Sequence, residues 1–241
     1  MRHFLSSCFC LSLLLSGSPT FAFFDEINAL EQGLNGTEDT GLESIVDELD
    51  TVKSASPAFS DVDARAWYAT FVSAVAKLGI VSGDKNPDGT LRGTFRPGDN
   101  VTVGEILKIS FKAAGKDESK CSGSGDYRGA ENHWAKSFVR CGQDLRVRLL
   151  EGETSLDRSA TRAEVIGLID DVFQEQVPPL LSTFIDTREN AYEGDIAYNA
   201  AIGVISGDTD AAGKPKGTFR PNAPINRAEV AKIIKRKLDL Q

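Results

Sequence analysis

Gly79-Ile80-Val81-Ser82-Gly83-Asp84 recurs as Gly203-Val204-Ile205-Ser206-Gly207-Asp208, 124 residues further on. The same shift carries Gly93-Thr94-Phe95-Arg96-Pro97 onto Gly217-Thr218-Phe219-Arg220-Pro221, and Glu105 onto Glu229. Three separate matches in one register make an internal repeat, and a repeat decides architecture before any local pattern does. A gap of this size holds two small units, which predicts a middle copy. It is present in decayed form. Thr161-Arg162-Ala163-Glu164 answers Asn226-Arg227-Ala228-Glu229 and Thr102-Val103-Gly104-Glu105, and Trp134-Ala135 answers Trp67-Tyr68-Ala69. The middle copy lacks the Gly-Thr-Phe-Arg-Pro stretch and has Leu149 to Leu156 in its place.

Each copy reads as two helices around a loop. In the first, Trp67, Phe71, Val72, Val75 and Leu78 are spaced for one apolar face. Gly79 stands where a glycine ends a helix. A Gly- and Pro-rich loop follows, and a second helix is predicted from Thr102, with Val103, Ile106, Leu107, Phe111 and Ala114 inward. The corresponding inward sets are Val165, Ile166, Ile169, Val172 and Phe173, then Val230, Ile233, Ile234 and Leu238. One pair of short helices cannot bury both faces, so the three copies are expected to share one core.

Phe59-Ser60-Asp61-Val62, Trp67-Tyr68-Ala69, the two Ser-Gly-Asp and Phe-Arg-Pro stretches, and Thr161-Arg162-Ala163-Glu164 together resemble the S-layer homology (SLH) domain. The resemblance covers 58–240 and is specific through the order and spacing of the motifs. It implies a mainly α fold of three two-helix SLH repeats in a pseudo-threefold arrangement around a central three-helix bundle, with loops and short β segments. The repeats are expected at 58–116, 117–182 (degenerate) and 183–241. It also implies binding of a cell-wall polysaccharide, typically a secondary polymer with pyruvylated sugars, in grooves between adjacent units.

The first residues read as an export signal over 1–22. Arg2 and His3 precede an apolar run from Phe4 to Leu15, and Thr20 and Ala22 are small residues placed for cleavage. The run is too short to span a bilayer. Most of the apolar run follows Cys8 rather than preceding it, which argues against a lipoprotein signal. No other stretch reaches membrane-spanning length, so the mature chain is expected to be exported and held at the cell wall or surface. Removal of the signal leaves Cys121 and Cys141, which in an exported chain fit a disulfide; two buried thiols are the alternative. Residues 23–57 carry nine acidic side chains against one lysine, whereas 58–241 holds 25 basic and 26 acidic residues. The acidity belongs to the leader, and nucleic acid is excluded as a partner for either part. The leader reads as short helices or a linker, or alternatively as a docking segment for a partner protein, with Leu42, Ile45, Val46, Leu49 and Val52 at helical spacing.

The candidate ligand-binding residues are Trp67, Gly83, Trp134, Thr161, Arg162, Glu164, Gly207, Arg227 and Glu229. Thr161 with Glu164, and Thr102 with Glu105, match a capping box, and Asn226 with Glu229 a weaker one. Arg162 and Arg227 sit in the first helical turn, where the macrodipole favours acids rather than cations. An anion bound at the helix N-terminus would account for them, and a guanidinium fork suits the carboxylate of a pyruvate ketal. Val103 stands at that position in the first copy, so at most two strong anionic sites are expected. Trp67 and Trp134 fit either a core or stacking on sugar faces, and Tyr192 is placed as their counterpart in the third copy. Gly83 and Gly207 provide a turn or close backbone approach to a ligand. Asp84 to Gly89 opens like a calcium loop, but Phe95 stands where the closing glutamate belongs, so it reads as a solvated turn. No nucleophile–base set, His/Cys metal cluster or phosphate-cradling loop is present, and no cofactor or metal is expected. The chain therefore reads as a binding protein rather than an enzyme: a wall anchor or, alternatively, a structural envelope protein or adaptor working through protein contacts.

Overall fold

Three helices begin at the three Thr/Asn-x-x-Glu sites, each with both halves of a capping box. Thr102, Thr161 and Asn226 accept from the backbone N–H of Glu105, Glu164 and Glu229, and each glutamate accepts from the cap residue's own N–H. The third box, with asparagine in place of threonine, is as complete as the others. A cap of this kind contributes about 1 kcal/mol.

The computed structural model describes residues 59–152 and 154–241; the predicted export signal and acidic leader lie outside them. Among the described residues there are six α-helices: α1 (Ala69–Lys77), α2 (Val103–Ala113), α3 (Lys136–Leu145), α4 (Arg162–Phe173), α5 (Glu193–Ala201) and α6 (Arg227–Leu238). Short 3-10 turns lie at Glu118–Lys120 and Arg148–Leu150, and the β pairing is confined to isolated bridges. This part of the chain is mainly α. No described helix is long and apolar enough to cross a membrane.

For α1 the apolar reading holds only in part. Val72 and Val75 are buried and Phe71 packs on the core. Trp67 precedes the helix and Leu78 caps its end, so neither follows the helical face, and both are exposed. The helices α2, α4 and α6 supply most of the core, including Ile106, Leu107, Ile166, Leu168, Ile169 and Ile234. Each such side chain contributes on the order of 1.5–3 kcal/mol when fully buried.

The packing partners cross the expected repeat boundaries. Helix α1 packs on α6, α3 on α2, and α5 on α4, while α2 also meets both α4 and α6. The same order runs through the backbone. Arg227 and Ala228 donate to the carbonyls of Asp99 and Pro97, Val103 and Gly104 to Arg158 and Leu156, and Arg162 and Ala163 to Ala223 and Pro221. A closed ring of three further bonds joins Val101 to Ile225, Ile225 to Ala160 and Ala160 to Val101. The first-turn N–H groups of a helix have no partner within it. Here the first two in each helix are satisfied by another segment and the third by the cap.

Cys121 and Cys141 form a disulfide that ties the stretch before α3 to α3 itself. Closing a loop of this length stabilises a chain by about 3 kcal/mol in the entropic account. A buried ion pair joins α4 to α6: Lys237 Nζ, 1% exposed at its side chain, donates to Asp170 at 2.9 Å and also bridges Glu175 at 3.0 Å. Asn199 of α5 donates to the same Asp170 at 2.6 Å. Burial pushes the Asp170 carboxyl up to about 6 against the pull of Lys237.

Two outcomes follow from this packing. A fragment of residues 59–116, deprived of the carbonyls and apolar faces of the other segments, should show no cooperative thermal unfolding. Lys237→Met in the full chain strands a buried carboxylate and should cost about 3–5 kcal/mol in a denaturant melt; a cost below 1 kcal/mol would contradict the pair.

Candidate ligand-binding clefts

The repeated Phe-x-Asp and Gly-Thr-Phe-Arg-Pro stretches form one structural device, present twice. Asp61 accepts from the N–H groups of Phe95 and Arg96 at 2.8 and 2.7 Å, and Asp186 from Phe219 and Arg220 at 2.9 and 2.8 Å. Phe59 stacks on Phe95, and Phe184 on Phe219. Asp84 takes Thr94 and Arg96, and Asp208 takes Thr218 and Arg220. Hydrogen bonds from arginine and threonine hold both carboxyls below the usual aspartate range. The Asp84 turn is thus closed by its own arginine. Gly83 and Gly207 are required here: a Cβ on Gly83 would lie 2.4 Å from the Thr94 carbonyl, and one on Gly207 would lie 2.4 Å from the Phe184 ring. The two glycines therefore have a packing reason of their own, beside any approach to a ligand.

This device forms one wall of each of two clefts. The first, about 440 Å³, is lined by Ile205 to Thr209 and by Trp67, Arg162, Glu229 and Lys232. The second, about 530 Å³, is lined by Val81 to Lys85 and by Trp134, Arg227, Glu105 and Lys108. The correspondence is residue by residue, and each cleft draws on all three segments. Both tryptophans are exposed, at 56% and 53%, which settles against the core reading. Trp134 lies tilted against His133, and Lys232 Nζ sits 5.6 Å from the centre of the Trp67 ring. An indole face and a cation beside it match a ligand with an apolar face and a negative charge.

Arg162 and Arg227 line the clefts but face inward, 7% and 9% exposed. Arg162 donates to the Phe219 carbonyl at 2.8 Å and to Glu229 at 2.6 Å, with its guanidinium 4.7 Å from the Phe219 ring centre. Arg227 repeats this with the Phe95 carbonyl, Glu105 and the Phe95 ring. The macrodipole argument thus has an answer inside the protein. The positive charge in the first turn is matched by the glutamate of another segment's capping box, and the helix N–H groups are already occupied. Thr161 and Glu164 are likewise engaged in their cap, and Glu164 takes Arg158 at 2.6 and 2.9 Å.

Sequence reasoning missed Lys108 and Lys232. Both lie three residues after a capping glutamate, and the 124-residue shift relates them, so the signal was in the repeat itself. Burial lowers both ammonium pKa values; Lys85 and Lys112 add to the effect at Lys108, and Arg236 at Lys232. It also missed that Tyr192 does not take the tryptophan's place. Tyr192 caps α5 as Tyr68 caps α1, one residue later than Trp67, and Ala191 stands at the tryptophan position. No group of three or more His, Cys, Asp or Glu among the described residues could hold a metal ion.

Each buried arginine should behave as a structural clamp. Arg162→Ala or Arg227→Ala should cost about 3 kcal/mol in a denaturant melt, because each leaves a part-buried glutamate without its cation and a buried carbonyl without its donor. Trp67→Ala and Trp134→Ala, which remove exposed rings, should stay within about 0.5 kcal/mol of the wild type.

The S-layer homology domain matches residues 58–106 and 211–231. Similar proteins of Acetivibrio thermocellus include cell surface glycoprotein 1, 29% identical over 163 residues, and a cellulosome-anchoring protein, 29% identical over 153 residues. Each match covers 61% of this chain, but only 7% and 34% of those proteins. Exoglucanase XynX of the same organism is 31% identical over 121 residues, which is 46% of this chain and 10% of the enzyme. The chain thus spans a minor part of these relatives. Two stretches of the chain, 58–106 and 211–231, thus carry S-layer homology domain sequence.

Proposed function

We propose that residues 58–241 form three S-layer homology repeats, 58–116, 117–182 and 183–241, in a pseudo-threefold arrangement around a central bundle of α2, α4 and α6. The support is the closed ring of bonds through Val101, Ile225 and Ala160, and the matching set of helix-start bonds from segment to segment. The module holds an exported protein non-covalently at the cell surface by binding an anionic wall glycan, such as a pyruvylated secondary polymer, in the clefts at Trp67 and Trp134. It works by binding rather than catalysis. One observation carries this reading: two clefts present the same exposed tryptophan, cleft-wall lysine and glycine-walled loop, built from three segments each. The names of the relatives, a cell surface glycoprotein and a cellulosome-anchoring protein, point the same way. Within a cleft the indole covers the C–H face of a sugar. Lys108 or Lys232 supplies the charge for the carboxylate, and the Arg–Glu clamp holds the wall in register.

Sedimentation with purified wall sacculi tests this. The wild-type protein should pellet with native sacculi and stay in solution once the anionic polymer is removed. Binding unaffected by that removal would favour contacts with envelope proteins. Trp67→Ala combined with Trp134→Ala should abolish binding with an unchanged circular dichroism spectrum.

Binding should weaken as salt rises, as expected for partly exposed charge pairs. It should also weaken at high pH. The folded pKa of each lysine lies below the ordinary value of about 10.4, so the ligand's cationic partner is present at neutral pH and is lost before that value is reached. Retention of full binding up to pH 11 would exclude the two lysines as the charge partners.

A further inference from the structure

The repeat predicts a third cleft, between the middle and last segments, from residues equivalent to those of the other two. The helix starts fix the equivalences. Gly167 of α4 corresponds to Lys108 and Lys232, each three residues after the capping glutamate. Arg148 corresponds to Val81 and Ile205. The N–H before it, at Val147, returns to Gly142 as those of Ile80 and Val204 return to Val75 and Asn199. Ala191 stands in place of the tryptophan.

All three exchanges act in one direction. The missing lysine leaves bare backbone on α4, and Tyr192 fills it: a Cβ on Gly167 would lie 2.0 Å from Tyr192 Cδ1 and 2.3 Å from Cε1. Arg148 brings its guanidinium to 5.0 Å from the centre of the same ring. It is held there by Asp195 of α5, at 2.6 and 2.9 Å, and by Asp171 of α4. Arg148 is thereby pinned between two carboxylates of its own chain. Burial pushes the Tyr192 hydroxyl up to about 12. The arginine that Val103 fails to supply is replaced by Arg158, which closes on Glu164 from within the middle segment.

We propose that the third position is a cleft closed by the chain itself, with Tyr192 seated on Gly167 under Arg148 as a permanent internal occupant, so that this junction takes no ligand. Val103 alone does not explain the loss, because Glu164 has its arginine. The closure lies in the Gly167, Arg148 and Tyr192 set.

Two measurements test this, and only the second rests on the glycan reading above. The first is a thermal double-mutant cycle. Alanine in place of a helical glycine ordinarily stabilises. Here Gly167→Ala should lower Tm in the wild type and raise it in the Tyr192→Ala background, since the clash exists only while the ring is seated. A rise in Tm from Gly167→Ala in both backgrounds would overturn the proposal. The second is titration calorimetry with a methyl N-acetylhexosaminide carrying a pyruvate ketal. Two molecules should bind per wild-type chain, one per Trp67→Ala chain and none to the Trp67→Ala, Trp134→Ala chain. A third site in the wild type, or one remaining in the double variant, would also overturn it. If the cycle gives the expected sign change while the wild type binds no glycoside at all, the closed junction stands and the glycan reading of the two open clefts falls.

Discussion

The first turn of an α-helix exposes N–H groups that the helix itself cannot satisfy, and in this protein nearly everything else depends on how that need is met. Helices α2, α4 and α6 end up buried at their starts, where water cannot serve. The third N–H of each is taken by a threonine or asparagine two positions before the helix's second residue, which the local sequence supplies. The first two are taken by carbonyls of another segment: Asp99 and Pro97 for α6, Arg158 and Leu156 for α2, Ala223 and Pro221 for α4. A segment on its own would leave six such groups across the chain without partners. The arginines follow the same path. Arg162 and Arg227 cross to Glu229 and Glu105, the glutamates that close the other segments' caps, so each cap carries a local and a remote duty.

That exchange also makes the clefts. Because a helix start is fastened to the next segment's loop, the exposed tryptophan, the lysine of a central helix and the glycine-walled loop come from different segments and meet at a fixed spacing. The wall is rigid for an energetic reason. An arginine with two of its nitrogens on a carbonyl and a carboxylate, and its flat face on a phenylalanine, has few alternatives. The exposed tryptophans stand at the open side of each cleft, with Lys108 and Lys232 in its lining. The buried arginines hold the cleft walls together through partners inside the protein.

Local chemistry was legible in the sequence, and order in space was not. The repeat, the capping boxes, the helix-ending glycines and the Cys121–Cys141 bridge all rest on short-range rules or on residue counts, and each has its place in the structure. The first helix was drawn too long because Trp67 and Leu78 happen to continue its apolar spacing, although they lie just outside it. Arg162 and Arg227 were rightly singled out as misfits to the helix dipole. Their partners lie 67 and 122 residues away, and nothing in a linear reading points there. Lys108 and Lys232 were legible and overlooked: the shift that exposed the repeat relates them too, but a lysine on a helix is ordinarily solvated and draws no notice. Tyr192 lies eight residues after Phe184, as Trp67 lies eight after Phe59, which makes it look like the counterpart. The third segment is one residue shorter between the Phe-x-Asp opening and its helix, so Ala191 falls at the tryptophan position instead.

The middle segment shows what the fold demands once the repeated motif is gone. Among its described residues it shows no counterpart to the Asp61 clamp, yet the N–H of Thr154 still finds a partner, the hydroxyl of Tyr127, which itself donates to the carbonyl of Gly152. It lacks the glycine that ends α1 and α5, and Arg146 adopts the left-handed conformation instead, at φ 54°. It receives no arginine from the first segment and supplies its own Arg158. Each replacement keeps a backbone group paired or a charge matched, and none of them rebuilds an open wall like those at Gly83 and Gly207. The disulfide then adds a covalent tie across the segment with the fewest repeated contacts. The middle segment therefore keeps the hydrogen bonds that let α2 and α4 start inside the core, and the space beside Gly167 is filled by the ring of Tyr192 rather than left open.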